Sequence, residues 1–279
     1  MMEDEERNRN RIGVQDNYNL QARRNQNEAE RRILDDTFQA KAFNNWVKSV
    51  LFDKYTNIMC ENLEKKLDLR RGGRDKILHV LDVGCGRGQD IKKWSKNRVK
   101  YMLATDFSED SLKEYEERWS AYQPFKLYTI AADFTKFDLY KKIEHSYYDV
   151  ISAQFCLHYM FKSRENVETG LTSILSNLLI DGYFIATIPD SYTLLKKIKE
   201  KGIQLADGSR EYHNKYFSVK INKTHFPEPF GNEYGFYYQN AVGTKDEETG
   251  EIQYTYEYLV SLDHLEEIMK KQGMQEVEN

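Results

Sequence analysis

The sequence predicts an α/β fold: a mostly parallel, twisted sheet with helices on both faces. Three observations carry this expectation. Five short apolar runs recur through the middle of the chain: Ile77 to Val83, Tyr101 to Thr105, Phe125 to Ala131, Tyr148 to Gln154 and Gly182 to Ile188. Helical patterns fall between them, at Asp90 to Lys96, Asp110 to Tyr122 and Ser163 to Leu179. The runs close on residues that end a strand or bend the chain: Gly84, Asp106, Asp133 just past the third run, and Pro189. Strands that alternate with helices pair in parallel through right-handed crossovers, and the crossovers cover both faces of the sheet.

Bulk properties narrow the function classes. The 279 residues suffice for one large domain or two small ones. Hydrophobic residues make up 40% and charged residues 31%, and a mean hydropathy of -0.77 implies a polar surface. No apolar run approaches the ~20 residues of a membrane helix, so no membrane role is expected. The start, MMEDEERNRNR, is charged from its third residue and lacks the apolar stretch of a secretory signal. Cys60, Cys85 and Cys156 are far apart and lack zinc-type or CxxC spacing, so a reducing compartment and no metal site are expected. A net charge of -4 gives no broad footprint for nucleic acid. Any contact with RNA must rest on a local site. The 20 tyrosines and 14 phenylalanines could offer flat faces to a base, although most belong to the core on any bland reading.

Along the chain, residues 1–35 are rich in Arg, Asn and Glu and read as a mobile charged arm or a solvated helix. A single domain is expected over 36–279, with its core at about 74–190. A helical rhythm begins near Phe43 and runs through Trp46, Val50, Tyr55, Met59, Leu63 and Leu67, and Gly72-Gly73 should end it. After Pro189 the pattern changes. Ser191 to Lys201 reads as a helix. Residues 207–256 read as antiparallel strands with a turn at Lys245 to Gly250, inside a substrate-side insertion of about 205–260. Leu262 to Gln272 reads as a last helix.

The chemistry concentrates at the first strand end. Val80-Leu81-Asp82-Val83-Gly84-Cys85-Gly86-Arg87-Gly88 lies where a strand meets a helix, and glycines let the backbone turn sharply and approach a ligand closely. A GxGxG string also occurs in dinucleotide enzymes, but their third glycine would fall at Gln89. Asp106, at the end of the second strand, can take both hydroxyls of a ribose with either cofactor. Asp133 can accept from an adenine amino group, and Gln154 ends the fourth strand, beside the place where ligands of such sheets bind. A helix N-cap is the alternative reading for each acid.

Longer strings resemble those of eukaryotic-type mRNA cap guanine-N7 methyltransferases, in order from about Val14 to about Met274. Phe43-Asn44-Asn45-Trp46-Val47-Lys48-Ser49 is similar to the family's F-N-N-W-[IVM]-K-S. Gln154-Phe155-Cys156-Leu157-His158-Tyr159-Met160-Phe161 is similar to Q-F-x-x-H-Y-x-F. Asp82 to Asp90 resembles D-[LV]-G-C-G-K-G-G-D, with Arg87 for Lys and Gln89 for Gly. Glu257 matches the glutamate of P-E-[FY]-L-V. Asn17 departs from a family His, and Asp190 from a family Asn.

The resemblance implies a class I, Rossmann-like methyltransferase using S-adenosyl-L-methionine, with a small antiparallel cap-binding insertion. It implies that Lys48 pairs with the cofactor's methionine carboxylate and that Gly84 lines the cofactor. Asp106 would hold the ribose, and Asp133, Gln154 and Tyr159 would complete that pocket. Asn44, Phe155, His158, Tyr159 and Glu257 would form the guanosine pocket, with His158, Tyr159 and Glu257 aligning the base and no acid or base catalyst. Arg87, Lys93 and Arg118 are candidates for the cap phosphates, with an ordinary surface role equally open for Lys93 and Arg118. Expected partners are the capped RNA 5′ end and, from the family's role, RNA triphosphatase, guanylyltransferase or the transcription machinery. The nucleus is the expected location, otherwise the cytosol. The family continues through two further strands past the position of Asn279, so a fragment, completion by another chain, or a reduced relative all stay open. Two rival readings remain: a methyltransferase with another substrate, and a methyltransferase-like binding subunit without turnover.

Overall fold

The computed structural model describes residues 38–68, 73, 75–136, 139, 147–222, 226, 228–239, 241–246 and 248–277. The expected arm at 1–35 and Gly72 lie outside them. Helix α1 (Phe38–Lys66) starts before Phe43 and stops before the glycine pair. The physical reason for the early stop is local. Asp68 takes a left-handed φ of 50°, so the chain has already left the helix, and Lys65 and Lys66 sit where the helix dipole favours cations.

The five expected strands form one sheet. They are β1 (Leu78–Val83), β2 (Val99–Asp106), β3 (Lys126–Ala131), β4 (Tyr148–Gln154) and β5 (Leu178–Thr187), in the order β3-β2-β1-β4-β5 with every pair parallel. Between them lie α2 (Ile91–Trp94), α3 (Glu109–Ser120), a 3₁₀ turn (Leu157–Lys162) and α4 (Arg164–Leu175). Side chains alternate across the sheet. Leu81, Val83, Leu103, Ile151 and Ala153 pack with Val167, Leu171 and Ile174 of α4 on one face. Val80, Met102, Ala104 and Val150 pack with Phe52 of α1, Trp94 of α2 and Tyr115 of α3 on the other. Helices therefore cover both faces.

Strand β5 starts earlier than Gly182. Its pairing with β4 is irregular between Tyr148 and Val150, and Asp181 has φ 66°. Gly182 is required there, because a Cβ would lie 2.9 Å from the carbonyl oxygens of Asp149 and Leu179.

The strand order runs outward in both directions from β1 and β4, so their carboxyl ends flank the crevice where such sheets hold ligands. The second part of the chain closes over this end. Helix α5 (Ser191–Lys201) is capped by Asp190, whose Oδ1 accepts from Thr193 N at 3.1 Å. Strands β6 (Ile203–Gln204), β7 (Arg210–His213), β8 (Phe217–Ile221), β9 (Glu233–Tyr238) and β12 (Thr255–Tyr258) make an antiparallel sheet in the order β12-β9-β8-β7-β6. β10 (Thr244–Lys245) and β11 (Ile252–Gln253) form a hairpin around the expected turn. Val219, Ile221 and Tyr234 pack on Ile198 of α5. Helix α6 (Leu262–Lys271) buries Leu265 and Ile268 in the first core. A backbone bond ties this unit to the turn after β4, Gly231 N donating to Phe161 O at 2.8 Å, and within the unit Val260 N donates to Ser191 Oγ of α5 at 2.7 Å.

Candidate active site

The loop after β1 is built from left-handed glycines. Gly84, Gly86 and Gly88 have φ of 63°, 54° and 73°, where only glycine is unstrained. A Cβ on Gly84 would lie 2.8 Å from Cys156 Cβ and 2.9 Å from its Sγ. A Cβ on Gly86 would meet nothing within 4 Å, so the loop faces open space at its middle.

Asp106 holds this loop from the end of β2. Its Oδ2 accepts from Gly86 N and its Oδ1 from Ser108 N, both at 2.9 Å. Burial pushes its carboxyl up, and the amides of Ser108, Gly86 and Phe107 oppose that. It does not cap α3. Ser108 does, accepting from Ser111 N. With three amide donors on its two oxygens, the carboxylate still has accepting capacity for a further donor.

Two lysines from different helices meet on one carboxylate. Lys48 Nζ lies 2.8 Å from Asp90 Oδ2, and Lys93 Nζ lies 2.5 Å from Asp90 Oδ1. Lys93 also donates to Asn45 Oδ1 at 2.8 Å. Burial acts to raise Asp90, but the two ammonium groups outweigh it and hold the carboxyl below its ordinary value. Below the loop, burial pushes Asp82 up to about 7, with the charge of Asp90 adding and that of Lys48 opposing. The folded form thus binds this proton more tightly than the unfolded chain, whose ordinary value is 3.8. Stability should therefore fall as pH rises from about 4 to about 7. Asp82→Asn should lack this part of the slope, and thermal melts of both proteins across that range would reveal parallel curves if Asp82 does not titrate there.

On the opposite side, Gln154 ends β4. Its Oε1 accepts from Thr187 Oγ1 at 3.0 Å, and its Nε2 donates to Ser152 Oγ and Ile185 O at 3.2 Å. Phe155 follows with φ 55°, an uncommon conformation for an aromatic residue, fixed by Phe155 N donating to Thr187 O at 2.9 Å. This bend starts the turn that carries His158 and Tyr159. His158 and Glu257 are each 3% exposed. His158 Nε2 lies 3.6 Å from Glu257 Oε2, and neither ring nitrogen makes a hydrogen bond among the described residues. Glu257 Oε2 accepts from Tyr234 Oη at 2.6 Å and its Oε1 from Tyr159 Oη at 3.4 Å. Glu257 and Tyr234 are direct partners across β12 and β9. Burial and the charge of Glu257 push Tyr234 far up, so it stays a donor.

The remaining candidates stand as follows. Asp133 Oδ1 accepts from Thr135 N at 3.0 Å, and its Oδ2 pairs with Lys136 at 3.0 Å. Burial would raise this carboxyl, but the Thr135 and Lys136 bonds hold it down. Arg87 and Arg118 both face Glu114 Oε2, at 3.9 and 3.5 Å. Asn44 is half-buried on α1, one turn before Lys48. The structure thus brings together Lys48 with Lys93, Arg87 with Arg118, and His158 with Tyr159 and Glu257. Sequence reasoning missed Asp90, Asn45, Glu114 and Tyr234. Asp90 closes the quoted glycine string and could have been found. Tyr234 depends on strand register and carried no signal of its own.

The model of the mRNA (guanine-N(7))-methyltransferase domain matches residues 1–278. The mRNA cap guanine-N(7) methyltransferase of Schizosaccharomyces pombe is 31% identical over 76% of this chain and 56% of its own length. Similar proteins are mRNA cap guanine-N(7) methyltransferase 1 of Oryza sativa, 31% identical over 82% and 59%, and the Drosophila melanogaster mRNA cap guanine-N(7) methyltransferase, 27% identical over 85% and 53%. The chain spans a little over half the length of each of these relatives.

Proposed function

We propose, since this chain belongs to the mRNA (guanine-N(7))-methyltransferase family, that it transfers the methyl group of S-adenosylmethionine to N7 of the guanine that caps RNA 5′ ends. The observation that carries this reading is the cluster of His158, Tyr159 and Glu257, in which His158 and Glu257 are buried and neither His158 nitrogen makes a hydrogen bond among the described residues. A buried polar group without a partner costs about 1–3 kcal/mol, so a ring left in that state is suited to a ligand that completes it.

The residues present fit the cofactor. The open space over Gly86 admits a ligand against bare backbone, and the Asp106 carboxylate would accept from the ribose in part exchange for its amide donors. Lys48 would take the methionine carboxylate in exchange for part of its bond to Asp90, and Gln154 and Tyr159 would border the methyl group. Asp133 would face the adenine, sharing its oxygens with Thr135 and Lys136. The bound cofactor supplies an electrophilic methyl group on a sulfonium.

Guanine N7 carries a lone pair at neutral pH, so no general base is needed, and the protein's task is alignment, worth up to roughly 7–11 kcal/mol. Glu257 would accept from N1–H and the 2-amino group, and His158 would donate to O6. Phe155 and Tyr159 would wall the ring, with Asn44 at its edge. Arg87, Arg118 and Lys93 would meet the triphosphate, their charge now balanced by Glu114 and Asp90. Work on nascent transcripts would place the protein in the nucleus beside the triphosphatase, guanylyltransferase or transcription machinery.

Methyl transfer from labelled cofactor to GpppG, GpppA and free GTP, resolved by thin-layer chromatography, tests the reading. We expect labelled m7G from both capped dinucleotides. Label at any other atom, or none, would reject it. Asp106→Ala should weaken S-adenosylhomocysteine binding at least tenfold, since a charge-assisted bond is worth about 1.5–3 kcal/mol. An unchanged affinity by calorimetry would remove Asp106 from the site.

A further inference from the structure

Helix α5 has the sequence SYTLLKKIKEK, with Glu200 as its acidic residue. Leu194, Leu195 and Ile198 turn inward against β8 and β9. Lys196, Lys197, Lys199 and Lys201 are exposed, and Tyr192 is 75% exposed. Tyr192, Lys196 and Lys199 stand at i, i+4 and i+7, so they share one stripe. Among the described residues none of the four lysines has a carboxylate partner. Lys113, Lys136, Lys220, Lys270 and Lys271, by contrast, each pair with one at 2.6–3.4 Å. In a chain of net charge -4, an unneutralised basic face is a local departure with an energetic meaning: it repels itself unless an anion lies along it.

Its place says which anion. Helix α5 leaves the carboxyl end of β5, where Thr187 holds Gln154. Its first residue, Ser191, accepts from Val260 N at 2.7 Å, three residues past Glu257. The helix therefore starts at the rim of the candidate guanosine pocket and extends along about 16 Å, with Ile198 midway packed in one cluster with Tyr234, the partner of Glu257. We infer that α5 is the track for the RNA that follows the cap, with Lys196 and Lys199 on successive phosphates and Tyr192 stacking the first transcribed base. Lysines read backbone charge without sequence, and an exposed aromatic ring stacks any base, which suits an enzyme that must accept every transcript. This inference rests on the cap reading above.

The test compares steady-state kinetics of the full chain on GpppG and on a capped 15-nucleotide RNA at several salt concentrations. The capped RNA should have the lower KM, rising with salt. In the Lys196→Glu/Lys199→Glu double variant that KM should rise about tenfold. Its salt dependence should flatten by about 0.7 in log–log slope for each phosphate that is no longer neutralised, while GpppG kinetics stay unchanged. Lys196→Arg/Lys199→Arg should behave as wild type. An equal change on both substrates, or no change on the RNA, overturns the track. Failure of the cap reading shows separately, as no m7G from GpppG with the wild-type chain.

Discussion

Replacing Glu257 by glutamine is expected to lower kcat/KM for GpppG by about a hundredfold or more, because two charge-assisted bonds of about 1.5–3 kcal/mol each are degraded at once. The carboxylate is 3% exposed, so water cannot stand in for a lost partner. Its Oε2 already accepts from Tyr234 at 2.6 Å and its Oε1 from Tyr159 at 3.4 Å, so in the proposed complex the other lone pairs would take N1–H and the 2-amino group. In the variant the amide NH2 must face either Tyr234 or the base. The Tyr234 hydroxyl can rotate to accept it, and the glutamine then offers one oxygen to two donors. Cofactor affinity should stay unchanged, since the change lies on β12 rather than on the glycine loop. Tyr234→Phe should give a smaller loss in the same parameter, by freeing the carboxylate to rotate. Steady-state kinetics paired with calorimetry of S-adenosylhomocysteine decide the matter. Turnover of Glu257→Gln within about twofold of wild type would remove Glu257 from the proposed guanine site.

The parts legible in the sequence were those fixed by short-range patterns. Near-continuous apolar runs predict the parallel strands because both faces of the sheet are covered, so runs such as Ile77 to Val83 carry apolar residues on both sides. The glycine loop was legible because left-handed backbone admits few residue types. The strings around Lys48 and His158 marked segments whose side chains the fold brings to Asp90 and to Glu257. Contacts that depend on long-range placement were not legible. The Tyr234 bond to Glu257 follows from the register of β9 against β12, and no local pattern encodes a register. Lys48 and Lys93 were assigned to different groups, yet they meet on Asp90. The end of α1 was misread because a glycine pair is a strong stop signal, whereas the actual exit uses a left-handed Asp68. The start of β5 was misread because Leu178 to Asp181 pair irregularly before Gly182 restores the register.

Gly84→Ala should be strongly damaging to both stability and cofactor binding. Two costs add at this position. A φ of 63° is unfavourable for alanine by about 1–2 kcal/mol. The new Cβ would also sit 2.8 Å from Cys156 Cβ, and forcing extra volume into packed structure costs roughly 1–3 kcal/mol. Cys156 cannot swing aside. Its Cβ is set by the backbone, its Sγ donates to Val83 O at 3.3 Å, and the preceding Phe155 is fixed to Thr187. Relief must come from moving the loop off β4, which disturbs the anchoring of Gly86 to Asp106. We therefore expect Tm to drop by roughly 5–15 °C for a loss of about 2–5 kcal/mol and S-adenosylhomocysteine binding to become undetectable by calorimetry. A double-mutant cycle separates the two costs. Adding Cys156→Gly removes the overlap but not the strained φ, so it should restore part of the lost stability and some cofactor affinity, whereas Cys156→Ala keeps the Cβ contact and should restore little. Strictly additive losses in that cycle would mean that the close approach of the glycine loop to Cys156 does not shape the site.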